Sequence, residues 1–166
     1  MAVNAQSAYY GKINKYSNLY RLPSSHSAIL VWLPVKTTVF VISDVAVNGF
    51  VQVIYLESGV EGYIYRNVVD FTDKVADEVS TSIFSSVLSQ HTDSVTLTVT
   101  NNTNRTLTLK IDNHNYTVVS DSQERITLAP GVHKYILFGP KFLPMAGTEI
   151  LQRKQNYNWK ISAMRL

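Results

Sequence analysis

The sequence has no cysteine and few charged residues. The missing cysteine excludes disulfides, cysteine-based zinc sites and thiol nucleophiles together. Asp, Glu, Lys and Arg make up 16% of the 166 residues, against about a quarter in an average domain. The apolar share is 45%, which is normal for a globular protein and argues against wholesale disorder.

Long hydrophobic runs are absent as well. No segment approaches the roughly 20 apolar residues of a membrane-spanning helix, so we expect no membrane span. The first twelve residues, MAVNAQSAYYGK, lack the apolar core of a secretory signal. We therefore expect either that the protein is not exported by the signal-peptide route or that a signal has already been removed.

The net charge of +3 comes from basic residues scattered over the last third. Scattered charge is typical of a solvated surface, and we expect no nucleic-acid partner.

The residue patterns of common catalytic and metal sites are also missing. No pair of histidines has the HxH or HxxxH spacing of a zinc site. The sequence holds no Gly-x-Ser-x-Gly elbow and no Gly-rich phosphate loop. Glu57 and Glu61 flank one turn, whereas a glycosidase holds its carboxylates across a cleft. We therefore predict that the chain is not an enzyme and has no catalytic residues, no metal and no cofactor.

The chain is rich instead in Tyr, Thr, Ser, Asn and Val, a usage typical of β proteins. Its most regular stretch is residues 48–65, NGFVQVIYLESGVEGYIY. Apolar side chains alternate along FVQVIY, Ser58-Gly59 is a turn dipeptide, and the second strand opens on Gly62. A glycine at that position permits a bulge or a close backbone approach.

This order resembles the closing half of a bacterial SH3-like (SH3b) domain. That family shows an Asn-Gly-aromatic strand, a loop and a Gly-aromatic-hydrophobic strand, which here are residues 48–50 and 62–64. Upstream, residues 18–24, NLYRLPS, are similar to the family's opening signature. Lys36 stands where the family usually has a glycine, so the turn is expected to differ there. The resemblance covers residues 11–70 and implies a small β-barrel that binds a peptide or a cell-wall strand.

The resemblance also implies a binding groove near the opening strand and its loop. It places Tyr20, Arg21 and Tyr63 at or near this groove as ligand-binding residues. Tyrosine suits such a surface because it gives a flat amphipathic contact at a low entropy cost. The alternative is that these aromatic residues are scaffold, because a small barrel needs several in its core. Phe50 is the clearest candidate for the core.

The remaining residues predict two further segments. In residues 71–91 apolar side chains recur at helical spacing after a possible N-cap, Asp73, which predicts a short connecting helix, with an irregular linker as the alternative. Residues 92–166 return to short alternating strands with frequent turns, which predicts an antiparallel β-sandwich. The fold class is therefore mainly β: an N-terminal SH3-like β-barrel, a short connecting helix and a C-terminal antiparallel β-sandwich similar to small bacterial surface domains.

Three Asn-x-Thr triplets fall in the C-terminal part. They begin at Asn101, Asn104 and Asn115 and would be glycan acceptors in a secreted eukaryotic protein. The resemblance of residues 11–70 to a bacterial family favours ordinary Asn- and Thr-rich turns instead.

Three functions stay open. The first is a non-enzymatic binding module that recognises peptidoglycan or a protein strand. The second is a structural subunit of a bacterial surface, filament or phage-like assembly, with possible self-association by strand addition. The third is a targeting domain of a wall hydrolase whose catalytic domain lies elsewhere. We expect the protein at the cell surface or in an extracellular assembly.

Overall fold

The structure, a computed structural model, describes residues 8–75, 83–88 and 94–162. These residues form fifteen β-strands and one 3₁₀ turn at Arg66–Val68, and they contain no α-helix. The prediction of a mainly β protein is confirmed. The chain divides into two compact units: Met1–Asp77 with Pro140–Pro144, and Glu78–Gly139 with Met145–Leu166.

The first unit contains one seven-stranded sheet. Its strands are β1 (Tyr9–Ile13), β2 (Ser17–Tyr20), β3 (Ile29–Leu33), β4 (Thr38–Val41), β5 (Phe50–Tyr55), β6 (Val60–Tyr65) and β7 (Val69–Lys74). They follow the order β3-β2-β6-β5-β4-β1-β7, and every neighbouring pair is antiparallel. The edges of this sheet are therefore β3 and β7.

The central strands bury both of their faces. On one face Val51, Val53 and Ile64 belong to the main apolar core of the unit. On the other face Phe50 and Ile54 are buried as well. This follows from the alternation of FVQVIY, because successive side chains of a strand point to opposite faces. Phe50 is thus buried as expected, on the face opposite the main core.

Two turns of the first unit use left-handed backbone. Asn48 and Gly49 have φ values of 53° and 81°, and Val47 and Phe50 exchange hydrogen bonds of 2.8 and 2.9 Å around them. Such a pair is the two-residue turn that suits the twist of a β-hairpin. Lys36 has φ of 69°, and its N–H donates to Ile13 O at 2.7 Å. Lysine therefore adopts here a conformation that glycine adopts most easily.

The second unit contains two four-stranded sheets. The first has the order β11-β10-β13-β14 and the second β12-β9-β15-β8. The strands are β8 (Ser85–Leu88), β9 (Val95–Asn102), β10 (Leu107–Ile111), β11 (His114–Val118), β12 (Ser122–Leu128), β13 (Gly131–Gly139), β14 (Phe142–Leu151) and β15 (Gln155–Ser162).

One strand pair of the second unit departs from the expected antiparallel arrangement. β15 runs parallel to β9, with Tyr157 opposite Leu97 and Ser162 opposite Asn102. The cause is the connection before β15: β14 lies in the other sheet, so the chain changes sheets between Leu151 and Gln155 and returns beside β9 in the same direction.

Aromatic side chains join the two sheets of this unit. The rings of Tyr135 on β13 and Trp159 on β15 lie 5.3 Å apart, and Phe84 packs 5.1 Å from Trp159. The buried carboxylate of Glu149 on β14 accepts the N–H of Ile83 at 2.9 Å, which fixes the chain just before β8.

The helix expected over residues 71–91 is not found in their described part. Val69–Lys74 is strand β7 and pairs with β1, and Ser85–Leu88 is strand β8 and pairs with β15. Pairing with these strands overrides the helical spacing, because β-branched and hydroxyl side chains fit a pleated surface and weaken a helix. The remaining positions, 76–82 and 89–91, lie outside the described residues.

A buried amide network closes the turn after β9. Asn101 has no exposed surface, and its Oδ1 accepts the N–H and the hydroxyl of Thr103 at 3.0 and 2.7 Å. Its Nδ2 lies 2.8, 2.9 and 3.1 Å from the backbone carbonyls of Arg105, Val118 and Val119, so that two of these acceptors share one of its two hydrogens. Asn101 is therefore structural, and its nitrogen is closed to glycosylation in the folded chain.

Substitution of Phe50 by alanine is expected to lower the free energy of unfolding by about 3–5 kcal/mol, because a large buried ring is replaced by a cavity. Chemical denaturation measures the loss. Val45→Ala is the control, since Val45 is exposed in the same unit. A loss for Phe50→Ala that equals the loss for the control would show that the ring contributes little.

Substitution of Asn101 by alanine is expected to destabilise the protein by about 2–3 kcal/mol, because buried carbonyls lose their donor. The matched control is Asn104→Ala, which removes an exposed amide from the same turn. Thermal unfolding compares the two variants. Equal melting temperatures would contradict the structural role of Asn101.

Candidate functional site

An open groove of about 480 Å³ lies on the first unit. Its walls come from the residues just before β2, from β2 itself and from the segment that joins β6 to β7. The residues that line it are Lys15, Tyr16, Ser17, Asn18, Tyr20, Tyr65, Asn67 and Val68.

The alternation of β2 turns its polar and aromatic side chains toward this groove. Leu19 is fully buried in the main core, so Asn18 and Tyr20 point to the opposite face. Across β2 and β3, Asn18 pairs with Trp32 and Tyr20 pairs with Ile29, with a bulge between the two pairs. Because of this bulge, Ile29 and Trp32 share the groove face although they are three residues apart.

Two groups of aromatic rings, which together we call the aromatic row, meet at the groove: Trp32 with Tyr16, and Tyr20 with Tyr65 and Phe50. The rings of Trp32 and Tyr16 lie 6.5 Å apart, those of Tyr20 and Tyr65 6.3 Å, and those of Tyr65 and Phe50 4.2 Å. The exposed fraction is 65% at Trp32 and 57% at Tyr16, whereas it is 9% at Tyr20, 37% at Tyr65 and 4% at Phe50. One end of the row is thus anchored in the protein and the other faces solvent.

Polar groups border the row. Asn18 Nδ2 donates to Tyr20 Oη at 3.3 Å. Asn14 Nδ2 donates to Asp70 Oδ1 at 2.7 Å. This hydrogen bond holds the residues before β2 next to strand β7. The guanidinium of Arg66 lies 3.7 Å from the centre of the Phe71 ring, outside the groove lining.

The three residues expected at the site occupy different positions. Tyr20 lines the groove. Tyr63 pairs directly with Tyr20 across β6 and β2 and shares its face, but it is half-buried and outside the lining. Arg21 follows β2, its N–H donates to Ala28 O at 2.9 Å, and its exposed side chain is also outside the lining.

The structure adds lining residues that the family signature does not single out. The segment YSNLY, residues 16–20, carries Tyr16, Asn18 and Tyr20 at a spacing of two. That spacing alone indicates one shared face of a strand. Lys15, Asn67 and Tyr65 carry no such signal, because they reach the groove through the turn before β2 and the end of β6.

Residues 8–75, 83–88 and 94–162 contain no group of three His, Cys, Asp or Glu side chains placed to hold a metal ion. In the same ranges, no helix has the length and apolar character needed to cross a bilayer.

A second cluster of titratable groups lies in the second unit. His133 Nδ1 is 2.8 Å from Asp112 Oδ2, and His133 Nε2 is 2.8 Å from Ala129 O. The Lys134 N–H donates to Asp112 Oδ1 at 3.0 Å. Burial acts to raise the pKa of Asp112, but the hydrogen bonds and the positive charge of His133 and His114 outweigh it, so the pKa falls below its ordinary value of 3.8. The cluster joins the β10–β11 turn to β13 and is structural.

This shift predicts an acid-sensitive contribution to stability. Because the folded-state pKa of Asp112 is depressed, its contribution is present above the unfolded value of 3.8 and is lost as pH falls through the lower folded value. Asp112→Asn is expected to reduce the loss of unfolding free energy on acidification from about pH 5 to pH 3.

Urea unfolding at a series of pH values measures this loss. Asp121→Asn is a matched control, because Asp112 and Asp121 have nearly the same left-handed backbone, with φ of 51° and 52°. An acid dependence that is identical in the two variants would contradict the assignment.

Comparison with known proteins returned no match. No protein-family model matches this chain, and neither does a curated protein or a solved structure.

Proposed function

We propose that the chain is a non-enzymatic binding module whose first unit, an SH3-like barrel, holds an extended ligand along the aromatic row. The observation that carries this proposal is the exposure of Trp32 and Tyr16 at one end of a row whose other end is packed. Large exposed aromatic side chains grouped at a groove are a common feature of binding sites.

The row suits an extended ligand because it is preorganised. Tyr20 and Tyr65 are held by ring contacts with each other and with Phe50, and Trp32 is placed by strand pairing with Asn18. A surface already fixed in its bound shape loses little conformational entropy on binding. Flat rings separated by amide groups accept a chain that is apolar along one side and polar along the other.

Backbone features support the SH3-like assignment. The Asn48-Gly49 turn and the Gly62 approach occur where the family signature has them. Lys36 keeps a glycine-like φ where the family has glycine. The second unit is proposed to be a β-sandwich, supported by the ring contact of Tyr135 with Trp159 across its two sheets.

The ligand class that fits best is a peptide-containing wall polymer such as peptidoglycan, or an extended protein strand. Both present repeated amides and small apolar groups to a groove of this kind. The protein would then act at the cell surface or in an extracellular assembly. A targeting role beside a separate wall hydrolase is one form of this function.

A sedimentation assay with purified peptidoglycan, together with a pull-down from lysate, tests the proposal. The chosen variant is Tyr16→Ala with Trp32→Ala, because both side chains are exposed and their removal leaves the core intact. Binding is expected to weaken by about 2 kcal/mol or more, which is roughly thirtyfold, as for aromatic hot spots.

The matched control is Val45→Ala with Val47→Ala, which removes two other exposed apolar side chains of the same unit. The control is expected to bind like the natural chain. Full affinity of a folded Tyr16→Ala, Trp32→Ala variant would exclude the aromatic row as the contact surface.

A structural subunit is the second candidate, and strand β3 favours it. β3 is a sheet edge with the uncharged sequence ILVWL, and Ile29 and Trp32 are exposed on it. Uncharged apolar edges promote pairing with another strand. Light scattering separates the two candidate functions. Large assemblies that are dispersed by the Ile29→Lys substitution would favour the structural subunit. A monomer at all concentrations would favour the binding module.

A further inference from the structure

Electrostatics at the groove indicate which ligand it takes. We propose that the groove binds an extended peptide that carries a carboxylate, with the carboxylate at Lys15 and the apolar part of the peptide on Tyr16, Tyr20 and Tyr65. This inference rests on the proposed function and specifies its ligand.

Lys15 is the charged side chain of the groove lining. The ion pairs found within the described residues do not include it. A ligand that covers the groove removes water from this ammonium group, and the loss of hydration is unfavourable unless the ligand supplies an anion. A carboxylate is the anion that a peptide can offer.

Lys15 is the charged side chain of the groove lining, so the lining itself has a positive charge. Outside the lining, the Asp70 carboxylate accepts a hydrogen bond from Asn14, and the backbone of Asp70 pairs with that of Lys12. Arg66 lies over the Phe71 ring and donates to Val69 O at 3.2 Å. A basic ligand would therefore meet like charge at Lys15, and an acidic ligand would meet its complement.

The polar groups beside Lys15 suit a peptide backbone. Asn18 donates through Nδ2 to Tyr20 Oη, and its Oδ1 is the amide atom that can accept a peptide N–H. Trp32 extends the aromatic row onto edge strand β3. An extended peptide beside this edge can pair with backbone groups and lay alternate side chains on the row.

Four acetylated tripeptides test the proposal by chemical-shift titration of the ¹⁵N-labelled full chain. They are acetyl-Ala-Ala-Ala amide, the same peptide with a free carboxyl end, acetyl-Ala-Glu-Ala amide and acetyl-Ala-Lys-Ala amide. The two acidic probes distinguish a terminal carboxylate from a side-chain carboxylate. At low salt at least one is expected to bind about two- to fivefold more tightly than the neutral probe, as for an exposed ion pair.

Lys15→Met is expected to abolish this preference, so that the two acidic probes bind no more tightly than the neutral probe. The matched control is Lys12→Met, which removes an exposed lysine from the same unit outside the groove lining. The preference is also expected to shrink at high salt, because exposed charges are screened.

The outcomes separate this inference from the proposed function. Equal binding of all four probes, preference for the lysine probe, or a preference that survives Lys15→Met overturns the carboxylate assignment and leaves the aromatic groove in place. If the aromatic groove binds without a preference for a carboxylate, the amide signals of Tyr16 and Tyr65 still shift when the neutral probe is added. No saturable shift at the groove with any probe overturns both.

Discussion

The pairing of β2 with β3 on one side and β6 on the other is the constraint on which the first unit depends. Because successive side chains of a strand point to opposite faces, Leu19 of β2 packs in the core, and Asn18 and Tyr20 lie on the groove face. Gly62 makes the contact with β6 possible, because an added Cβ would lie 2.7 Å from Tyr20 O and 2.8 Å from Leu19 Cγ. Any side chain at Gly62 would push β2 away and displace the aromatic row.

Much of the first unit could be predicted from the sequence, because its signals are local. Alternation in FVQVIY gives the two buried faces, Asn48-Gly49 gives the hairpin turn, and Gly62 gives the close approach. The groove was harder to predict. Trp32 and Ile29 share its face only because of a bulge, and a bulge depends on the partner strand rather than on the sequence of β3 itself.

Other segments show where local signals are overridden. The helical spacing after residue 71 does not produce a helix in the described residues, because strand β7 pairs with β1 and strand β8 pairs with β15. The parallel pairing of β15 with β9 carries no sequence signal, since it arises from a change of sheet between β14 and β15. Asn101 is a further position that the sequence does not reveal. Its Asn-x-Thr triplet is typical of an exposed glycan acceptor, but in the structure its amide is buried beside three backbone carbonyls.

Acrylamide quenching of tryptophan fluorescence tests most directly whether a ligand lies on the aromatic row. The chain has two tryptophans; Trp32 is largely exposed and Trp159 is buried, so the quencher reports mainly on Trp32. Saturation with peptidoglycan fragments released by enzymatic digestion is expected to lower the quenching constant toward the value of a Trp32→Phe variant. Bound fragments that leave the quenching constant unchanged would contradict the account.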